Sequence, residues 1–332
     1  MALYKYLGNH PNDRQNGWSE ELQGVCHDKN NWFFTQKGKL WKFPITHNLS
    51  NKITSPNPSK GILRVGIPAA LTREKYNHFG DLDYYKDYLF IPMEDNPSGQ
   101  AIAVFKAADL SYVCHQVICK NGNNHFNKLA WCAINPKDGR LYTSDQQVDD
   151  DYTSKHSPIV VFNINFSKIK PGSSNFLTRY DAFSIRDEEG CIMFKRYMQG
   201  GCFDNSNRLH LNSGSASENY SNDGIQVFRL QEKVKTSTGT KIVSVSSSNA
   251  SNHICFLATC IARSRRSSSN TNKFRYEFHP GGTKYEEPEG ITCWDLNKDK
   301  RAPKIKGVFH AIMLDNDKTS ADDFYFKHYD LV

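Results

Sequence analysis

The sequence predicts an all-β fold, a single β-propeller of about five four-stranded blades, from three observations. Its apolar runs are short and never reach helical length, they recur in one order along the chain, and each recurrence opens at a small junction residue. The stretch from Trp18 to Thr46 shows the unit. Val25-Cys26-His27 is broken by Asp28 to Asn31, Trp32 to Thr35 by Lys37-Gly38, and Leu40 to Phe43 alternates as a third run. Aromatic-rich runs separated by Asn, Asp and Gly turns are antiparallel strands joined by hairpins.

The unit then returns. After a Pro/Ser/Asn loop from Asn48 to Lys60, Gly61 to Val65 reads as another short strand. A second copy opens at His78-Phe79-Gly80, turns at Lys86-Asp87 and continues through Tyr88 to Pro92 and Ala101 to Phe105. The third runs from Ala130 to Ile134, Arg140 to Thr143 and Pro158 to Phe162. The fourth runs from Gln199 to Phe203, Arg208 to Leu211 and Gly224 to Leu230, and the fifth from Pro288 to Asp295, Gly307 to Met313 and Asp323 to Tyr329. Third strands share the pattern Ile102-Ala-Val-Phe105, Ile159-Val-Val-Phe162 and Ile225-Gln-Val-Phe228. A further run accompanies the copies at Tyr112 to Ile118, Cys191 to Tyr197 and Phe274 to Phe278, which brings the strand count per copy to four.

The blade junctions fall at Gly24, Gly80, Cys132, Gly200 and Gly290, small residues that permit close backbone approach near a crowded axis. The widest interval, from Gly200 to Gly290, holds the extra runs Lys241 to Val245 and Ile254 to Ile261. Residues 231–272 are therefore an insertion or a degenerate sixth blade, with five the preferred count. The last copy lacks a fourth strand, and Leu3 to Leu7 is a spare one, so the ring is expected to close by pairing the two terminal strands. A β-sandwich would also show short strands and turns, but it does not predict the recurring junctions.

Composition narrows the class. A chain of 332 residues with 38% hydrophobic and 12% aromatic content can bury a real core. No run approaches the ~18 apolar residues of a membrane helix, and the amino terminus has no apolar signal core, which leads to the expectation of a cytoplasmic, monomeric protein. Nine cysteines, mostly inside apolar runs and without a Cys-x-x-Cys pair, read as buried free thiols rather than as a zinc site. A net charge of +7 is mild, and its one dense cluster, Arg263 with Arg265-Arg266, is no stripe of the kind nucleic acid requires.

In a propeller the first residues of the innermost strands ring the mouth of the central channel. Here these are Gln23, Phe79, Trp131, Gln199 and Glu289, with His27, His78, Asp81, Asp83 and Glu287 nearby. The Gln23-Gly24, Gln199-Gly200 and Glu289-Gly290 junctions resemble those of lactonase-type propellers and plant-type glutaminyl cyclotransferases. That resemblance implies a calcium-dependent hydrolase or cyclase, in which Asp81, Asn135 and Glu289 would supply oxygen ligands and His78 and His27 would act as bases. The residues themselves point first to binding. Aromatic faces and neutral amides suit a glycan or small polar organic ligand, with Gln23, Phe79, Trp131, Gln199 and Glu289 as its contacts. No nucleophile elbow or phosphate loop is present. Structural roles compete for the same residues: Asp81 and Asp83 as acceptors for turn amides, and Phe79 and Trp131 as packing between blades. The acidic run Asp149 to Asp151 reads as a solvated loop or a surface calcium site.

Overall fold

The computed structural model describes residues 4–11, 17–94, 99–119, 128–146, 158–193, 197–214, 224–266, 275–276, 286–315 and 323–331. Asp149 to Asp151 and most of Phe274 to Phe278 lie outside these residues.

Five sheets radiate from one axis. Blade 1 is Leu22–His27, Asn31–Gln36, Lys39–Pro44 and Leu63–Gly66, from inside outward. Blade 2 begins with an innermost strand in two pieces, His78–Phe79 and Asp83–Tyr85, both paired to Tyr88–Glu94, and continues with Gln100–Lys106 and Tyr112–Cys119. Blade 3 is Ala133–Ile134, Leu141–Thr143, Ile159–Ile164 and Leu177–Phe183. Blade 4 is Met198–Phe203, Arg208–Ser213, Gly224–Thr236 and His253–Arg263. Blade 5 is Glu286–Cys293, Phe309–Asp315, Asp323–Leu331 and, outermost, the amino-terminal strand Tyr4–Asn9.

The extra runs between Gly200 and Gly290 are therefore neither an insertion nor a sixth blade. His253–Arg263 is the fourth strand of blade 4, and Gly239–Ser244 is a hairpin continuing its long third strand. Two of the expected fourth strands are also displaced. Blade 3 ends on Leu177–Phe183 rather than on Cys191 to Tyr197, and blade 4 has His253–Arg263 in fourth place, with the two-residue strand Ile185–Arg186 added parallel at its edge. Leu177–Phe183 mixes polar and apolar residues, which hides its periodicity, whereas the run from Ile254 to Ile261 reads as a strand without its sequence showing which blade it joins.

The recurring third-strand pattern has a simple origin. Successive side chains point to opposite faces of a sheet, and each blade is covered on both faces by its neighbours. In blade 2, Ile102 and Val104 enter the core shared with blade 3, while Ala103 and Phe105 enter the core shared with blade 1. Five such cores, one per seam, carry the apolar burial. The seam between blades 5 and 1 is the most aromatic, with Trp18, Trp32, Trp41, Phe34, Phe43, Phe324 and Phe326 all buried. The nine cysteines are free thiols, and Cys202 and Cys293 bring their sulfurs to 3.6 Å across the seam of blades 4 and 5.

The ring closes as the unpaired termini required. Tyr4 pairs with Leu331 and Tyr6 with Tyr329, a bulge at Gly8 shifts the register, and Gly8 pairs with His328. Tyr4 is 1% exposed, with its ring stacked 5.4 Å from Phe309. Its side chain makes closure a packing event as well as a backbone one. Tyr4→Ala should cost about 3 kcal/mol, as truncation of a buried aromatic does, and removal of residues 1–9 should cost more. Urea denaturation reads both, and an unchanged midpoint in the truncated chain would show that this strand does not hold the ring.

Buried histidines line the same closing region. His310 and His328 meet Nδ1 to Nδ1 at 2.8 Å, while their Nε2 atoms reach the Trp294 and His10 carbonyls, each at 2.9 Å. Three contacts thus share the two N–H protons of a neutral pair. His27 lies flat on Trp294, 4.3 Å between ring centres. Burial lowers all three from the ordinary value of 6.5, His328 to about 3 and His310 well below, with the neighbouring rings adding repulsion at His310. Unfolded histidines bind protons below pH 6.5 and these folded ones resist doing so. Their contribution is therefore intact above pH 6.5 and is lost as pH falls toward 3, at about 1.4 kcal/mol per pH unit for each. Chemical denaturation between pH 7 and 4 should show this decline, and His328→Asn should make it shallower.

Candidate functional site

The axis of the ring is filled by one side chain. Between its two pieces the innermost strand of blade 2 is interrupted at 80–82, and Asp81 enters the centre fully buried. Its Oδ1 accepts the Val25 amide at 3.0 Å, and its Oδ2 accepts the amides of Gly201 at 3.1 Å and Ile291 at 3.4 Å. Its own amide donates to the Ala130 carbonyl at 2.6 Å, and its carbonyl accepts the Cys132 amide at 3.2 Å. Every blade thus meets at this one residue, each through the position that follows its junction.

These contacts fix the register of the repeat. Val25, Asp81, Cys132, Gly201 and Ile291 are equivalent, so the junction position is held by Gly24, Gly80, Trp131, Gly200 and Gly290. The blade 3 junction is Trp131, not Cys132, and the residue equivalent to Gln23 is Ala130. The glycines are obligatory for space: a Cβ on Gly24 would stand 2.5 Å from Asp81 Cα, and one on Gly290 would overlap its carboxylate. Gly201 serves a different neighbour, since the Trp131 indole lies against its Cα.

Trp131 and Phe79 belong to the interior. Both are 0% exposed. Trp131 packs in the core of blades 3 and 4 and donates its indole N–H to Ser144 at 2.9 Å, while Phe79 packs edge-on against Phe105. Neither offers a face to a ligand. His27 and Asn135 sit at the far ends of their innermost strands, away from Gln23 and Glu289. Asn135 donates to Asn207 Oδ1 at 2.7 Å and accepts the Lys137 amide at 2.9 Å, the work of a turn residue. Asp83 likewise takes the amides of Ile134 at 2.6 Å and Tyr84 at 2.7 Å. Burial pushes its carboxyl up to about 7, against the pull of those amides.

The proposed calcium ligands do not fit one ion. Both Asp81 oxygens are taken by amides, Asn135 is bonded elsewhere, and the described residues contain no group of three His, Cys, Asp or Glu placed for a metal.

Above Asp81, at the end where the innermost strands begin, polar side chains gather. Gln146 donates to Gln199 Oε1, and Gln199 donates to Glu287 Oε1 at 2.9 Å. His78 Nε2 meets Gln23 Oε1 at 2.8 Å. Lys128 holds Glu94 at 3.2 Å. Glu289 is 2% exposed, and no hydrogen bond reaches its carboxylate among the described residues. Burial first, then the negative charges of Glu287 and Glu94, push it well above the usual carboxylate range, with Lys128 opposing. Gln146, Glu94 and Lys128 escaped the sequence reading because they lie on second strands and connections, and only the ring brings them to the mouth. A separate polar chain, Tyr112 to His115 at 2.8 Å and His115 to Glu74 at 3.0 Å, ties the outer strand of blade 2 to the residue capping the short helix Ala69–Arg73.

These features define a five-bladed β-propeller whose axis is filled at one level by Asp81, with polar side chains gathered above it. No family model and no curated protein matches the chain. Among solved structures it is similar to the GH43_1 enzyme from Xanthomonas citri complexed with xylose, at 8% identity over 92% of this chain and 85% of that one, TM-score 0.44. It is also similar to the GH43 endo-arabinanase from Bacillus licheniformis, at 10% identity over 94% of both chains, TM-score 0.39. A third is the PQQ-bound aldose sugar dehydrogenase from Streptomyces coelicolor, at 9% identity over 94% of this chain and 95% of that one, TM-score 0.39.

Asp81→Asn tests the plug. Burial raises the Asp81 carboxyl well above its ordinary range, opposed by the three amides, and each of those contacts is a donor that leaves an added proton no acceptor. Asparagine would turn an NH₂ group against those donors. The expected loss is about 2 kcal/mol or more, from at least one unmet buried amide, read by thermal or urea unfolding. A variant as stable as the parent would mean that the carboxyl is protonated and does not clamp the axis.

Proposed function

We propose that this protein binds a polar organic ligand, a glycan or a compound of similar hydroxyl-rich chemistry, in the cup formed by Gln23, His78, Gln199, Glu287 and Glu289. The observation that carries the reading is the concentration of buried amide and carboxylate groups at the mouth directly above a sealed axis. Such groups are costly to bury unless they are bonded, and here they gather on the side of Asp81 where the innermost strands begin. Recesses with a few convergent polar groups are where small ligands dock.

Recognition in this reading rests on hydrogen bonding. The aromatic residues at the junctions are buried between blades, so amides and carboxylates take the role that stacking was expected to have. Gln199 is central, since it links Gln146 to Glu287 and both its amide atoms are held in fixed orientation. A metal-dependent hydrolase has less support, because Asp81 is fully engaged in backbone contacts and the imidazole of His27 is stacked on Trp294.

A panel of neutral and amino-bearing oligosaccharides, measured by calorimetry and by thermal shift, tests the reading. At least one member should bind and raise the melting temperature. Gln199→Ala should weaken that ligand about tenfold or more, as loss of one or two buried hydrogen bonds does, with the fold intact by circular dichroism. A panel that is blank throughout would overturn the reading.

A further inference from the structure

We propose that Cys202 and Cys293 form a reversible oxidation site, in which a peroxide links the two thiols into a disulfide that joins blade 4 to blade 5.

The pair is built by the convergence of the inner strands. Cys202 lies on Met198–Phe203 and Cys293 ends Glu286–Cys293, the innermost strands of neighbouring blades. The two backbones crowd each other at their junctions, where a Cβ on Gly200 would stand 3.0 Å from Gly290 Cα. Farther along, on the side of Asp81 away from the cup, the two sulfurs are 3.6 Å apart. Ile291, Thr292 and Cys293 pair in unbroken register with Ala311, His310 and Phe309. Ile291 and Cys293 therefore point to one face, and Cys202 enters the same core from blade 4. A disulfide needs an S–S distance of about 2.05 Å, so about 1.5 Å must be closed, divided between two side chains that each turn about a single bond.

The two thiols differ in a way that sets an order. Cys293 is partly exposed, whereas Cys202 is buried. Burial first, and then the sulfur contact with Cys293, pushes the Cys202 thiol well above its ordinary range. That keeps it protonated and unreactive toward solutes. Peroxide therefore meets Cys293 first. The Cys293 sulfur attacks one peroxide oxygen, the O–O bond breaks, and the products are a sulfenic acid and water. Cys202 then attacks the oxidised sulfur. The S–S bond forms, the S–O bond breaks, and the hydroxyl leaves as a second water with the Cys202 proton. Two thiols and one hydrogen peroxide thus give one disulfide and two waters, with two electrons passing to the peroxide. Exchange with a reduced dithiol restores the pair. The link would span 91 positions of the chain and fasten the seam that also holds Tyr4 and Phe309, where the amino-terminal strand completes the ring.

The test is to treat the reduced full chain with hydrogen peroxide, alkylate it after denaturation and map its peptides by mass spectrometry. The peptides carrying Cys202 and Cys293 should appear linked, and dithiothreitol should release them. The oxidised protein should melt about 3 °C or more above the reduced form, as a disulfide closing a long loop does. Cys202→Ser should abolish that rise and leave Cys293 as a sulfenic acid that dimedone traps. Oxidation confined to the exposed Cys191, or links that join other cysteines while Cys202 stays open to alkylation, would overturn the proposal. The peptide map of the parent chain decides this without any variant.

Discussion

Five sheets that share no strand ladder can form a ring only if their inner edges agree on a common level, and the Asp81 carboxylate sets that level. Three inner strands direct an amide at its two oxygens, blade 3 meets its main chain, and Asp81 itself belongs to blade 2. The rest of the centre is shaped by this contact. Glycine is required where backbones crowd the carboxylate, and that carboxylate fills the space between the inner strands. A low-dielectric site strengthens such hydrogen bonds and raises the cost of missing one. The arrangement is thus both the tightest and the least tolerant point in the chain.

The cup inherits its character from its place above that carboxylate. Residues one step before the junctions are equivalent around the ring, yet Gln23, Phe79, Ala130, Gln199 and Glu289 differ widely in chemistry. Two lie in or beside the apolar cores, and three face the recess with amide or carboxylate groups. The scaffold is repetitive where it must close and irregular where it meets solutes. Repetition serves geometry, and departures from it give the site its chemistry.

Most of the architecture was legible in the sequence because burial on both faces of a blade leaves a dense local pattern. Ile-x-Val-Phe survives in three copies for that reason, and the glycine junctions survive because nothing larger fits. Outer strands were harder to read. Leu177–Phe183 is masked by its polar residues, and the run from Ile254 to Ile261, legible as a strand, carries no local sign that it belongs to blade 4. The error at blade 3 is instructive: Trp131 looked like a mouth residue because it precedes a small one, whereas it stands in the glycine position itself and turns its indole sideways over Gly201. Asp81 was singled out as a functional carboxylate, and its competing role as an acceptor for backbone amides proved to be the one it fills. Glu94, Lys128 and Gln146 could not be assigned to the mouth from local pattern, since their meeting depends on which strands the ring sets side by side.

The closing blade also imposes a schedule on synthesis. His10 and His328 are joined by a hydrogen bond that spans 318 residues. On a ribosome adding roughly 5–20 residues per second, tens of seconds separate the emergence of the two. During that interval the amino-terminal strand has no edge to pair with, and Asp81 gains the amides of Gly201 and then Ile291 only as blades 4 and 5 are made. The nascent chain must therefore hold four blades in an open arc, with the aromatic face of blade 1 uncovered, until blade 5 arrives.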